Sequence, residues 1–422
     1  MIRVLNYSSK RATLFLEKLF YRVHEYPKNF ERYVQKIGLE VKKGGDKALL
    51  EYTFKFDGVS LEREELRVSE EEIEKAYLQV DKGLYEAIKL AIEKVKDFHE
   101  KSKALSWFFE GEDYLLGQLV RPVERAGLYI PGGKGGETPL VSTVIMTAVP
   151  AKIAGVKKII MVSPPRKDKS LAPALIVAGK EAGVDEIYKI GGPWSIFALA
   201  YGTDIIPKVD IICGPGNIYV TLAKKLVSFS VGIDSLAGPS EVVIIADDSA
   251  EPSYVVWDML AQAEHDPLSL SILITPSQRL IKEIKKLLPL ALEKGYRKEI
   301  AEASLRKRGA LIKVRALEEA FEVANKIAPE HLELLIETPE AYLPMIKNAG
   351  AVFLGAYTPE AIGDYIAGPN HVLPTMGLAR FASALSVEKF YKKINFIKYT
   401  KKALEREAPY VITLAEAENL PS

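Results

Sequence analysis

Three short runs decide the fold of this 422-residue chain: VKKIIMV at 156–162, EIYKI at 186–190 and VDIIC at 209–213. Each ends in turn residues and is followed by a stretch of helical character. Strands that alternate with helices predict a parallel sheet, because each helix has to carry the chain back across the sheet before the next strand starts. Downstream a second series repeats the plan, with candidate strands at 241–246, 268–274, 310–314 and 351–354 and helices between them. The reading is therefore α/β, with two domains of similar plan joined near 233–238. The sequence shows no repeat that would prove duplication. A cleft between two such domains is the natural place for a site.

Upstream, Ser69 to Trp107 has helical spacing, with Ile73, Ala76 and Tyr77 and then Tyr85, Ile88, Ile92 and Val95 recurring among charges. After Pro369 the alternation fades. The segment from Ser386 to Ser422 is basic and then acidic, and reads as a tail or small helical appendage docked on a neighbouring subunit. The expected division is 1–126 as a helical N-terminal region leading into the first α/β unit, 127–235 as that unit, 236–385 as the second unit, and 386–422 as the tail.

Length supports more than one core, since single cores stop growing at about 250–300 residues. Hydrophobic residues form 48% and charged residues 27% of the chain, which describes a globular protein. The 57 basic and 56 acidic residues leave a net charge of +1, so no global field recruits nucleic acid or an anionic membrane. One cysteine, Cys213, excludes an internal disulfide and points to the cytoplasm. Near the N-terminus, Arg3, Lys10, Arg11 and Glu17 interrupt every apolar run of signal or membrane-span length.

Three clusters carry titratable groups. In Trp257-Asp-Met-Leu-Ala-Gln-Ala-Glu-His265, helical spacing puts Gln262 and His265 on one face, where an amide oxygen and an imidazole nitrogen can share a divalent cation such as zinc. Alone, this spacing describes a helix end with solvated polar groups at least as well. In Ile327-Ala-Pro-Glu-His-Leu332 the proline suits a first helical turn. The helix dipole there would keep His331 neutral and Glu330 ionised, so that both are bases. The alternative is a carboxylate that merely complements the dipole. In Thr358 to His371, Asp364 and His371 flank a helix end and a Gly-Pro turn, as site residues or as a cap and a solvated loop. His24 and His99 lie in charged helical surroundings and read as structural. The glycine turns Tyr129-Ile-Pro-Gly-Gly-Lys-Gly-Gly136 and Gly214-Pro-Gly-Asn217 suit backbone amides near phosphates, or simply tight turns. Cys213 reads as a buried small hydrophobe.

In order along the chain, Gly127-Leu-Tyr-Ile-Pro-Gly-Gly133, Cys213-Gly-Pro-Gly-Asn217, Ala237-Gly-Pro-Ser-Glu241, Gln262-Ala-Glu-His265, Ala328-Pro-Glu-His-Leu332 and Gly363-Asp364 through Asn370-His-Val-Leu-Pro374 resemble the histidinol dehydrogenase family. Six separated motifs in the right order are far more specific than any one of them. The resemblance implies two incomplete Rossmann-like domains with parallel sheets, plus small helical N-terminal and C-terminal segments, in a homodimer whose sites draw on both subunits. It implies Gln262, His265 and Asp364 as zinc ligands and Glu330 and His331 as the acid/base pair. Ser240, Gln262, His265, His331, Asp364, His371 and Glu418 would meet the substrate L-histidinol, and Tyr129 and Asn217 would meet NAD.

The implied activity is oxidation of L-histidinol through L-histidinaldehyde to L-histidine with two NAD, the last step of histidine biosynthesis. His331 would serve both oxidations, and Glu330 would activate the water that attacks the aldehyde. Two features depart from the family. Trp194 stands where a glutamine is common, and the family motif continues past Ser422 to a histidine that supplies another zinc ligand. The rival reading is a zinc-dependent hydrolase using the same Glu/His pair. A non-catalytic binding protein is a further rival, against which intact Glu330 and His331 argue.

Overall fold

The computed structural model of the chain describes residues 2–22, 28–133, 136–295 and 297–420. His24, Pro421 and Ser422 lie outside the described residues. Along the chain the strands are β1 (Arg3–Asn6), β2 (Trp107–Gly111), β3 (Tyr114–Pro122), β4 (Arg125–Tyr129), β5 (Lys158–Ser163), β6 (Glu186–Lys189) and β7 (Ile211–Cys213). They continue with β8 (Gly232–Ile233), β9 (Glu241–Ala246), β10 (Leu270–Thr275), β11 (Ala310–Lys313), β12 (His331–Leu335), β13 (Ala351–Leu354) and β14 (Tyr391–Tyr399).

Two all-parallel sheets form the body, ordered β6-β5-β4-β7-β8 and β1-β11-β10-β9-β12-β13. Their strands are apolar on both faces because helices cover both. In β5, Ile159 and Met161 enter one core while Ile160 and Val162 enter the other. In β9, Val242 and Ile244 alternate with Val243 and Ile245 in the same way. The α/β reading with two parallel sheets therefore holds, and every strand of the two predicted series is present.

The chain starts in the second sheet, where β1 pairs with β11. It then crosses to the first, on which the helical segment Lys28–Asp57, broken by a kink at Gly45, contributes Val34, Ile37, Val41 and Leu49 to the core. The C-terminal segment starts with a short 3₁₀ helix at Val387–Phe390, continues as β14, which runs antiparallel to β3, itself paired with β2, and turns α-helical from Lys401 to Ala417. The adjacent Lys392 and Lys393 broke any alternating pattern in β14, which is exposed along most of its length on both faces.

Candidate active site

Glu330 and His331 do not open a helix. The helix Leu317–Ile327 ends at Ala328, whose φ is +50°, and the chain turns through Pro329 and Glu330 into β12, which begins at His331. Register with β9 sets His331 beside Val242, one residue past Glu241. The Glu241 backbone consequently serves both residues. Its N–H donates to Glu330 Oε2 at 2.9 Å, and its carbonyl oxygen lies 3.0 Å from His331 Nδ1. A carbonyl can only accept, so Nδ1 carries the hydrogen and Nε2 keeps the free lone pair. Nε2 is buried and has no protein partner.

Burial, rather than a helix dipole, sets the charge states here. Desolvation lowers His331 to about 4, keeping it a neutral base at neutral pH. The same burial pushes the Glu330 carboxyl well above the usual carboxylate range, although the Glu241 N–H pulls the other way. The sequence predicts an ionised Glu330; burial instead favours the protonated form of its carboxyl.

Gln262 belongs to the helix Pro252–Ala263 and is fully buried. Its Nε2 lies 3.4 Å from His331 Nδ1, and its Oε1 has no hydrogen-bond partner. His265 follows the helix end in an exposed turn, so the predicted pair does not share a continuous helix face. Asp364, on the helix Glu360–Tyr365, joins His331 and Glu360 in a group whose ligand atoms lie within 4.8 Å of one another. Nitrogen and oxygen donors at this separation suit a zinc ion, but the group shares only Asp364 with the predicted ligand set: Gln262 stands beside His331 with Oε1 bare, and His265 is not among these donors. His371 donates through Nδ1 to the Asp364 carbonyl at 2.9 Å, and its Nε2 lies 3.5 Å from Thr143 Oγ1 on the helix Val141–Ala154 of the first unit. A cavity of about 410 Å³ is lined by His331, Asp364, Asn370, His371, Phe98 and His99.

Ser240 is half-buried just before β9. Glu418 caps the exposed end of the helix Lys401–Ala417, and its described contacts stay within that helix. Sequence reasoning missed Glu360, a buried carboxyl after Pro359 that resembles an ordinary first-turn glutamate. It also missed Glu241 as the backbone clamp and Arg22 as its partner. Arg22 grips the Glu241 carboxylate at 2.7 and 2.8 Å in a fully buried pair.

The predicted nucleotide residues gather elsewhere, at the carboxyl ends of the first sheet's strands. Tyr129 ends β4, Trp194 follows β6, and Asn217 caps the helix Ile218–Val227 after β7, its side chain accepting from the Tyr219 and Val220 N–H groups. They line a cavity of about 830 Å³ with Gly132, Gly133 and Gly192. The order of this sheet reverses between β4 and β7, the place where open α/β sheets bind ligands. Gly214 is required there: its φ is +120°, and a Cβ would fall 2.0 Å from the Tyr129 carbonyl oxygen.

Two parallel α/β units, one with a buried Glu/His pair and the other with a glycine-lined cavity, have the arrangement of an α/β enzyme built on two sheets. The family model for histidinol dehydrogenase matches residues 21–422. Histidinol dehydrogenase of Synechococcus sp. is 50% identical over 424 residues, which cover 100% of this chain and 97% of that protein. Histidinol dehydrogenase 2 of Trichormus variabilis is 51% identical over 409 residues, covering 96% and 94%. The crystal structure of histidinol dehydrogenase from Elizabethkingia anophelis matches with a TM-score of 0.92 at 38% identity, covering 99% of this chain and 95% of that one. The chain belongs to the histidinol dehydrogenase family and is an oxidoreductase.

Proposed function

We propose that this enzyme oxidises L-histidinol to L-histidine in two NAD-linked steps, with Gln262, His265 and Asp364 holding one zinc ion per subunit. The observation that carries the reading is His331: a buried, neutral imidazole whose Nδ1–H is committed to the Glu241 carbonyl while Nε2 is left bare. Zinc held by Gln262, His265 and Asp364 would supply a positive charge that helps bind the nitrogens of histidinol and favours ionised carboxyls nearby. Bound NAD supplies the hydride acceptor. His331 takes the hydroxyl proton at Nε2 as the alcohol becomes the aldehyde. Glu330 takes a proton from the water that adds to the aldehyde carbon, and His331 takes a hydroxyl proton from the resulting hydrate as the carboxylate forms. Ser240 and His371 contact the substrate beside them.

The same reading makes the enzyme a cytoplasmic homodimer in which Glu418 reaches the partner's site. In its support, the helix Lys401–Ala417 buries only Ala403 and exposes Tyr410, Val411, Ile412 and Leu414, while Phe108 and Ile397 are bare on the antiparallel sheet. Apolar surface of that extent marks an interface in a folded protein. The deciding assay counts NADH formed per histidinol consumed by the zinc-loaded enzyme. A ratio of two supports the reading. Failure to bind NAD in the presence of zinc and histidinol turns the assignment toward a hydrolase.

A further inference from the structure

Asp57 is the charged residue among the described lining of the 830 Å³ cavity, and the chemistry above gives it no task. It is the last residue of the helix Lys28–Asp57, which Gly58 ends at φ +70°. Asp57 Oδ2 is buried with no hydrogen-bond partner, and burial pushes the carboxyl up to about 7. A partnerless carboxylate in a cavity that takes an anionic dinucleotide is unfavourable twice over, by desolvation and by repulsion, unless the ligand brings donors to it.

Its placement is not loose. The neighbouring Phe56 ring stacks on Trp194 at 5.4 Å and 19°, and Tyr52 stacks on Trp194 at 5.9 Å. Trp194 follows the Gly191-Gly192 turn, so the helix end is pinned to the glycine edge of the cavity. The Trp194 Nε1 also lacks a partner. Every residue described as lining the cavity, from Tyr33 to Tyr219, belongs to the first unit, whereas the acid/base pair belongs to the second. The cavity therefore suits the end of a dinucleotide remote from its reacting ring.

We propose that Asp57, held by the Trp194–Phe56 stack, accepts the vicinal hydroxyls of the adenosine ribose of NAD and thereby rejects a 2′-phosphorylated dinucleotide. Two hydroxyl donors match two carboxylate oxygens. A 2′-phosphate removes one donor and sets a dianion against the carboxylate. This inference rests on the reading that the cavity takes NAD.

Calorimetric titration of the zinc-loaded enzyme with NAD and with NADP tests it without turnover. Wild type is expected to prefer NAD. Asp57→Asn and Asp57→Ala should each weaken NAD by about 10- to 100-fold, the loss typical of a hydrogen bond to a charged group, and should lower the NAD-to-NADP affinity ratio at least tenfold. Trp194→Phe should keep the ratio and Trp194→Gln should lower it. An unchanged ratio in both Asp57 variants, each melting at the wild-type temperature, overturns the proposal. So does a wild type that binds NADP as tightly as NAD, which leaves the NAD reading of the cavity standing. A wild type that binds neither overturns both.

Discussion

Neutralising Glu241 tests how the acid/base pair is held. Arg22 and Glu241 are 5% and 0% exposed at the side chain, and the guanidinium meets the carboxylate through two bonds while also donating to the Ile327 and Leu19 carbonyls. Glu241→Gln leaves Arg22 as an uncompensated buried charge, which costs about 3–5 kcal/mol. At about 2–4 °C per kcal/mol for a unit of this size, the melting midpoint should fall by about 6–20 °C. The Glu241 peptide also bonds Glu330 and His331, so a displaced β9 start should reduce kcat along with stability. Removing both charges together, as Arg22→Met with Glu241→Met, should recover most of the lost stability because no charge is left unpaired. The assay is thermal unfolding of the two single variants and the double variant, with NADH formation measured on each. A Glu241→Gln loss below about 1 kcal/mol, set against that buried-pair cost, would show that the pair carries no such strain. A double variant as unstable as the single ones would refute the charge argument.

Three further outcomes are expected. Glu330→Gln should slow aldehyde oxidation more than alcohol oxidation, and His331→Asn should slow both, by about 10²–10⁴ for a lost general base; rapid-quench measurement of each half-reaction separates them, and equal losses for Glu330→Gln contradict the division of labour. His99 is 1% exposed, and burial lowers it to about 4. Between its ordinary value near 6.5 and 4 the unfolded chain binds a proton that the folded chain refuses, so stability is full above 6.5 and falls as pH drops through this window; His99→Phe should make that decline shallower in denaturant titrations, and an identical slope excludes the assignment. Mixed dimers of an inactive Glu418 variant and an inactive His331 variant should regain one working site, and verified heterodimers without activity would exclude a shared site.

How much was legible depended on what each run of residues has to touch. The limits of β9 and β13 were readable to the residue because both are short apolar runs. β12 escaped because its middle residue is Glu333, 1% exposed in the strand, and its first is His331, while Pro329-Glu330 imitates a first helical turn. β1 is four residues long and finds its partner β11 about 300 residues away, which no local pattern reports. Among the site residues, those in the six motifs were named from the sequence. Arg22, Glu360 and Asp57 were not, since a charged residue near a helix end is ordinary until its burial is known.

The two units share a plan but use opposite edges of it. In the first sheet the cavity lies beyond the carboxyl ends of β4, β6 and β7, beside the strand-order reversal, as parallel sheets ordinarily arrange a ligand site. In the second sheet the order reverses at β9, and the site again sits there, yet Glu241 and His331 are the first residues of β9 and β12, at the amino ends. Strand counting along a sequence cannot reveal this, because the edge that faces the other unit depends on how the two sheets are set together. Two contacts join them here: Asn370 donates to the Met146 carbonyl at 2.6 Å, and His371 Nε2 lies 3.5 Å from Thr143 Oγ1, Met146 and Thr143 both belonging to one buried helix of the first unit. His371 is thus held by one unit while it bonds Asp364 of the other. The helix Val141–Ala154 of the first unit thus fixes the Asn370-His371 turn of the second, so a substitution at Thr143 should shift His371, and with it the Asp364 end of the candidate site, although Thr143 itself belongs to the other unit.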